Sequence, residues 1–157
     1  MVKGGDLPKG SMLIGTHIQK LSVKGRTALP SKFKKELGTS VVISHWYEGA
    51  ISVFSGEKWQ KIVEQATLGS SVSSSARDTE RFLLGGAYEI ELDTQGRFVI
   101  PQALRDFGNF SKEQVVFVGL GNRVEIWAQK AWKERSSHII KNAEKLLERA
   151  QGVYRES

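Results

Sequence analysis

Gly15-Thr16-His17-Ile18-Gln19-Lys20-Leu21-Ser22-Val23-Lys24-Gly25-Arg26-Thr27-Ala28-Leu29-Pro30 aligns without a gap on Gly86-Ala87-Tyr88-Glu89-Ile90-Glu91-Leu92-Asp93-Thr94-Gln95-Gly96-Arg97-Phe98-Val99-Ile100-Pro101, at a constant offset of 71. Both copies read Leu-x-x-x-Gly-Arg-x-x-apolar-Pro. The match continues downstream at a slightly larger offset. Val41-Val42-Ile43 answers Val115-Val116-Phe117, Ser52-Val53-Phe54 answers Glu125-Ile126-Trp127, and each copy then runs into a tryptophan, Trp59 or Trp132. A repeat of this kind sets the unit of the fold. Each copy spans about 45 residues, too few to bury a good core alone. The two copies must share a core with each other or with another chain.

Period and punctuation give the local structure. Tyr88, Ile90 and Leu92 alternate with Glu89, Glu91 and Asp93, the period of a half-buried strand. Ile18 and Leu21 form a less regular counterpart. Gly25 and Gly96 fall where the chain turns, since glycine tolerates positive φ. Thr27 to Leu29 and Phe98 to Ile100 resume as short strands. Pro30 and Pro101 end them and suit the first turn of a helix. Phe33 with Leu37, and Ala103 with Phe107, each make one apolar stripe. Gly38 and Gly108 are placed as the caps that close these helices. A strand pair follows in each half, turning near Tyr47-Glu48-Gly49 and Gly119-Leu120-Gly121-Asn122.

The copies are joined by helices. Ser55 caps one that carries Trp59, Ile62, Val63 and Ala66 on one face. Residues 68–75 are rich in Ser and Gly and read as a loop. Ser75-Ala76-Arg77-Asp78 fits a capping box for a second helix, which carries Phe82 to Leu84 and stops at Gly85-Gly86. After the second copy, Trp132, Ile139, Ala143, Leu146, Leu147 and Ala150 keep helical spacing, so residues 128–149 are expected as one amphipathic helix in need of a partner. The expected division is a flexible extension at 1–14, a half-domain at 15–58, a helical linker at 59–85, a second half-domain at 86–131, and a C-terminal helix and tail at 132–157.

The chain has 157 residues, 39% hydrophobic and 25% charged, the balance of a folded soluble protein. It has no cysteine, which excludes disulfides, thiolate metal sites and a cysteine nucleophile. No stretch reaches the length of about 18 apolar residues that a membrane span needs. Residues 1–11 lack the apolar run of a signal peptide and are expected to be frayed. A cytoplasmic protein is expected.

The net charge of +6 is unevenly spread. Residues 1–60 carry nine Lys and Arg against four Asp and Glu; residues 61–157 carry fourteen against thirteen. Lys20, Lys24, Arg26, Lys32, Lys34 and Lys35 fall within sixteen residues that hold no acid. Such a run is either a solvated face or a surface for phosphates, and charge alone does not separate the two.

The duplicated turn, the following Pro, the helix between the copies and the stretch Arg81-Phe82-Leu83-Leu84-Gly85-Gly86-Ala87 together resemble the MraZ family of bacterial transcriptional regulators. The resemblance covers about residues 12–132. It implies an α+β, mainly β fold of two SpoVT/AbrB-type swapped-hairpin half-domains sharing one pseudo-twofold, double-ψ-like barrel, with linker helices and a C-terminal helix. It also implies a protein that binds repeated boxes of double-stranded DNA in the promoter of its own division and cell-wall gene cluster. Such a protein forms a homo-oligomeric ring in the cytoplasm and on the nucleoid. No cofactor, metal, membrane or small-molecule substrate is implied. The family's Asp-x-x-x-Arg turn is tied to DNA binding; that role carries over to Arg26 and Arg97 as the arginines and to Asp93 as the aspartate. The first copy departs from the pattern, with Ser22 in the aspartate position. An aspartate braces the arginine by a charge-assisted bond; Ser22 offers one weaker bond to a backbone N–H. The first turn is therefore expected to be looser and more electropositive.

The two turns also differ in their neighbours. Residues 21–36 hold Lys24, Arg26, Lys32, Lys34 and Lys35 against Glu36, whereas residues 92–107 hold Arg97 and Arg105 against Asp93 and Asp106. A polyanion should prefer the first. Arg26 is assigned to base edges, where its planar fork suits guanine O6 and N7. Lys24, Lys32, Lys34 and Lys35 are assigned to phosphates, and Gly25 to close backbone approach. Arg97 is placed among the DNA contacts, although a salt bridge to Asp93 that holds the turn is the stronger reading of that pair. Ser22, Asp93 and Gly96 are assigned to turn structure.

An enzyme is not expected. His17, His45 and His138 stand in unrelated contexts with no metal-ligand spacing, and neither a nucleophile elbow nor a phosphate-binding Gly-Lys-Ser/Thr motif occurs. The aromatic residues Trp46, Tyr47, Trp59, Trp127 and Trp132 read as core and interface. The alternatives are a ring-forming scaffold with weak or lost DNA binding and an antitoxin-like regulator, though antitoxins usually carry one copy and a disordered tail.

Overall fold

The computed structural model describes residues 13–68, 72–111 and 114–156. The expectations for residues 1–11 and for the middle of the 68–75 loop lie outside the described residues. The first half runs β1 (Ile14–Lys20), β2 (Arg26–Ala28), α1 (Ser31–Leu37), β3 (Ser40–His45), a 3-10 turn at Tyr47–Gly49, and β4 (Ile51–Ser55). Two helices follow, α2 (Gly56–Thr67) and α3 (Ser74–Leu83). The second half repeats the order: β5 (Tyr88–Glu91), β6 (Arg97–Val99), α4 (Gln102–Gly108), β7 (Gln114–Leu120) and β8 (Val124–Ala128). It ends in α5 (Gln129–Lys141) and α6 (Ala143–Glu156).

The strands are exchanged between the halves. β1 pairs antiparallel with β7, β5 pairs with β3, and β4 pairs with β8. The large sheet has the order β1-β7-β8-β4-β3-β5, which reads the same when the halves are interchanged. β2 and β6 form a separate two-stranded ribbon. The result is a mixed α+β fold, mainly sheet, with a pseudo-twofold. No closed barrel is detected among the described strands.

The core answers the question raised by the length of the repeat. Phe33, Ile43 and Ile51 of the first half and Ile100, Leu104, Phe117 and Ile126 of the second are fully buried and belong to one cluster. The halves share a core with each other. Two smaller clusters lie where helices cover the sheet. Trp59 of α2 packs with Val42 and Phe54, and Trp132 of α5 packs beside Trp127. Trp59 and Trp132 thus do the same work on the two hairpins, as the repeat expects. Ser55 Oγ accepts from Lys58 N at 3.3 Å and caps α2.

Several expectations are corrected. The apolar stripe of α4 is Leu104 and Gly108, the positions 71 beyond Phe33 and Leu37. Ala103 is exposed, and Phe107 is half-buried against the rings of His45 and Phe82. Gly108 lies inside the helix, and Asn109, at φ 56°, is the left-handed cap. Asn tolerates that region because its short polar side chain bonds locally. Pro30 and Pro101 are extended N-cap residues, one position before the first helical residue. β2 and β6 begin one residue earlier than expected, at the arginines themselves. α3 is capped by Ser73, whose Oγ accepts from Ala76 N at 3.0 Å, and Asp78 pairs with Arg81 rather than reaching back to Ser75. The tail is two helices. At Asn142 the backbone leaves helical geometry, and the Asn142 side-chain amide donates to His138 O at 2.8 Å. A side chain that bonds the carbonyl four residues back competes with the helix ladder.

Candidate nucleic-acid interface

The ribbon carries the two arginines. Its register sets Arg26 opposite Val99, Thr27 opposite Phe98, and Ala28 opposite Arg97. Successive residues of a strand point to opposite faces. Thr27 and Phe98 are buried, so Arg26, Ala28, Arg97 and Val99 share the outer face. Arg26 and Arg97 stand diagonally across it, roughly 7–8 Å apart at Cα by ordinary pairing geometry. Both line one surface cleft, with Lys20, Ser22 and Thr27.

The two turns that lead into the ribbon have the same backbone. Gly25 N donates to Ser22 O at 2.9 Å, and Gly96 N donates to Asp93 O at 2.9 Å. Ser22 N donates to Arg26 O, and Asp93 N donates to Arg97 O. Gly25 and Gly96 sit at φ 85° and 77°, a region where a Cβ is strained.

The side chains differ. Asp93 Oδ1 accepts from Gln95 N at 2.9 Å and from Arg97 N at 2.8 Å, while Oδ2 accepts from Arg97 Nε at 2.6 Å. Ser22 Oγ accepts one bond, from Arg26 N at 2.9 Å. Arg97 is thus tied to its own turn. The Arg26 guanidinium has no hydrogen-bond or ion-pair partner among the described residues.

The bonds from the Arg97 backbone and side chain hold the Asp93 carboxyl below the ordinary carboxylate range, against some desolvation. The folded state therefore favours the ionised form. The stabilisation is fully present above the unfolded-state value of about 4 and is lost as the pH falls through the lower folded value. Asp93→Asn is expected to differ most from the parent protein in urea midpoint near neutral pH, with the gap narrowing under acid. A gap that stays constant from about pH 6 to pH 2 would contradict this account of the turn.

The exchange of strands also exchanges the basic residues around the turns. Lys34 of α1 donates from Nζ to Thr94 O at 2.7 Å, on the second turn. Arg105 of α4, its counterpart in the repeat, donates from Nε to Ile100 O at 2.9 Å and from a terminal nitrogen to Val23 O at 3.5 Å, on the first turn. A Cβ on Gly25 would lie 2.5 Å from Arg105 Nε, and one on Gly96 would lie 2.9 Å from Leu29 O. The grouping expected from neighbours in sequence is therefore corrected at two charges: Arg105 lies on the turn of Arg26, and Lys34 on the turn of Arg97. The face of Gly25 reserved for close backbone approach is filled by the Arg105 guanidinium. Arg105 was absent from the expected site. The offset of 71 from Lys34 was the signal for it.

Of the other lysines, Lys24 is exposed in the first turn and Lys35 is exposed in the last turn of α1, beside the half-buried Lys32, which donates to Ile14 O at 3.4 Å. The structure brings Ser22, Lys24, Gly25 and Arg26 together with Arg97 across the ribbon. Such a face can donate bidentate bonds to base edges or phosphates. Among the described residues, no group of three or more His, Asp or Glu residues could hold a metal ion, and no helix is long and apolar enough to cross a membrane.

The sequence has relatives. A family model described as "MraZ protein, putative antitoxin-like" matches residues 12–82 and again residues 83–153. The protein named transcriptional regulator MraZ of Thermoanaerobacter sp. (strain X514) is 36% identical over 137 residues, which is 87% of this chain and 95% of the relative. Its namesake in Leuconostoc citreum (strain KM20) is 31% identical over 137 residues, with the same coverage. The one in Halothermothrix orenii (strain H 168) is 37% identical over 121 residues, 77% of this chain and 84% of the relative.

Proposed function

The chain belongs to the MraZ family, and on that premise we propose that it is a transcriptional regulator that binds double-stranded DNA at repeated boxes in the promoter of its own division and cell-wall gene cluster. One observation carries this most: two arginines on the outer face of a two-stranded ribbon, at the ends of matching turns. A two-stranded ribbon fits the major groove, where an arginine fork reads guanine. Arg26 is the base-reading residue. Lys24, Lys32 and Lys35 face phosphates, with Lys34 sharing its ammonium between a phosphate and Thr94. Gly25, Gly96, Ser22 and Asp93 shape the turns, and Arg97 makes a lesser contact.

The protein is a binding module rather than an enzyme, acting in the cytoplasm and on the nucleoid. Its units are the half-domains at 15–58 and 86–131, joined by the helices at 59–85, each a SpoVT/AbrB-type contribution to a double-ψ-like barrel. A ring of identical subunits facing repeated boxes gains by effective concentration what one ribbon lacks in contact area.

The test is binding of labelled DNA from upstream of the gene against scrambled DNA at two salt concentrations. Upstream DNA is expected to bind more tightly at both. Affinity for each should fall as salt rises, with a log–log slope of about −0.9 per phosphate neutralised. Equal binding of the two DNAs at both salts overturns operator recognition and leaves the ring as a scaffold.

A further inference from the structure

The two turns are braced in opposite ways. The second is held from within by the Asp93 carboxylate, which accepts two bonds from Arg97 and one from Gln95 N, and it receives one amine bond from Lys34. The first has one internal side-chain bond, from Arg26 N to Ser22 Oγ. It is instead covered from outside by Arg105, whose guanidinium lies against the bare face of Gly25 and bonds the carbonyls of Val23 and Ile100. The Ile100 peptide is itself part of the joint, since Ile100 N donates to Gly25 O at 2.8 Å. Among the described residues no carboxylate pairs with Arg105, and its guanidinium bonds one carbonyl of its own half, Ile100 O, and one on the first turn, Val23 O. A planar fork reaches two carbonyls at once, where a lysine serves as a point donor. The internal brace is slight, and the external one consists of a 2.9 Å bond to Ile100 O, a long 3.5 Å bond to Val23 O and the packing of the guanidinium on Gly25.

We propose that Arg105 is the positioning residue of the first turn: reaching across from the second half, it supplies the brace that Ser22 does not, and so aims Arg26 at its base. This rests on the reading of Arg26 as a DNA contact, and it adds a role for a residue outside the turn. It also predicts that the two braces substitute for each other.

The experiment uses the full chain with Arg105→Ala, Ser22→Asp and the double variant. It measures the ratio of affinities for upstream and scrambled DNA, the salt slope, and, without DNA, hydrogen exchange at the Gly25 and Arg26 amides. Arg105→Ala is expected to cut the ratio about tenfold, the scale of one misaimed bidentate contact. It should also speed exchange at both amides. Ser22→Asp in that background should restore the ratio, because the new carboxylate can hold Arg26 as Asp93 holds Arg97.

A uniform loss of affinity for both DNAs, with the ratio kept and the slope reduced by about one phosphate, makes Arg105 a phosphate contact and overturns the proposal. A lost ratio that Ser22→Asp does not restore overturns it as well. If the parent protein shows no ratio, operator recognition fails separately. The exchange rates then decide the positioning role, with unchanged rates in Arg105→Ala overturning it. Should Arg105→Ala fail to fold, Arg105→Lys, which keeps the charge without the fork, takes its place with the same readings.

Discussion

Arg26→Ala is expected to abolish the preference for upstream over scrambled DNA while leaving the fold intact. Its guanidinium has no partner among the described residues, so its removal leaves no buried group unsatisfied. A good bidentate contact to a base is worth about 1–3 kcal/mol of discrimination, roughly 5- to 150-fold for one subunit. Arg97→Ala is expected to behave differently. Arg97 already gives Nε to Asp93, so its loss frees a carboxylate and loosens the second turn. The expected result is a smaller loss of preference and a lower melting temperature. Binding curves for the two variants beside the parent protein check this. If Arg97→Ala removes the preference and Arg26→Ala keeps it, the assignment of base reading to the first half is wrong.

Phe117→Ala is the second large effect expected, and it bears on the shared core. Phe117 is fully buried in the cluster to which both halves contribute, and its strand pairs with β1 of the other half. Truncating a buried phenylalanine costs about 3–5 kcal/mol. For a chain of this size that lowers the melting temperature by roughly 6–20 °C. Because the core is common, both halves should melt together in one transition, shifted as a whole. Calorimetry that shows one half unfolding early while the other keeps the parent melting temperature would show the halves to be independent.

The repeat made the architecture legible, and local pattern alone made less of it so. The offset of 71 relates Phe33 to Leu104 and Leu37 to Gly108, yet helical spacing read by itself favoured Ala103 and Phe107. Phe107 is large and apolar, but it packs outside the shared core, on His45 and Phe82. The stop at Asn109 turns on a left-handed backbone and the break at Asn142 on a side chain that bonds the carbonyl of His138, neither of which composition reveals. Ser73 and Ser75 are both fit to cap, and the choice depends on where the following turns pack. In the candidate site, Ser22, Arg26, Asp93 and Arg97 were legible because motif residues lie close in sequence. The bonds from Arg105 to the first turn and from Lys34 to the second were not, since they exist only after the halves trade strands.

That trade has a consequence for the making of the protein. β1 is the first strand of the described chain, and its one ladder partner, β7, is nearly the last. A ribosome delivers the N-terminal strand long before its mate, so a half-made chain holds β1 with its hydrogen-bonding edge unclaimed. Closing so large a loop carries an entropy cost that local contacts do not offset, which makes for slow folding. On a crowded polysome the nearest β7 can belong to a neighbouring chain that is further along. The same exchange that joins two halves into one molecule is therefore also the route by which two molecules can trade strands during synthesis.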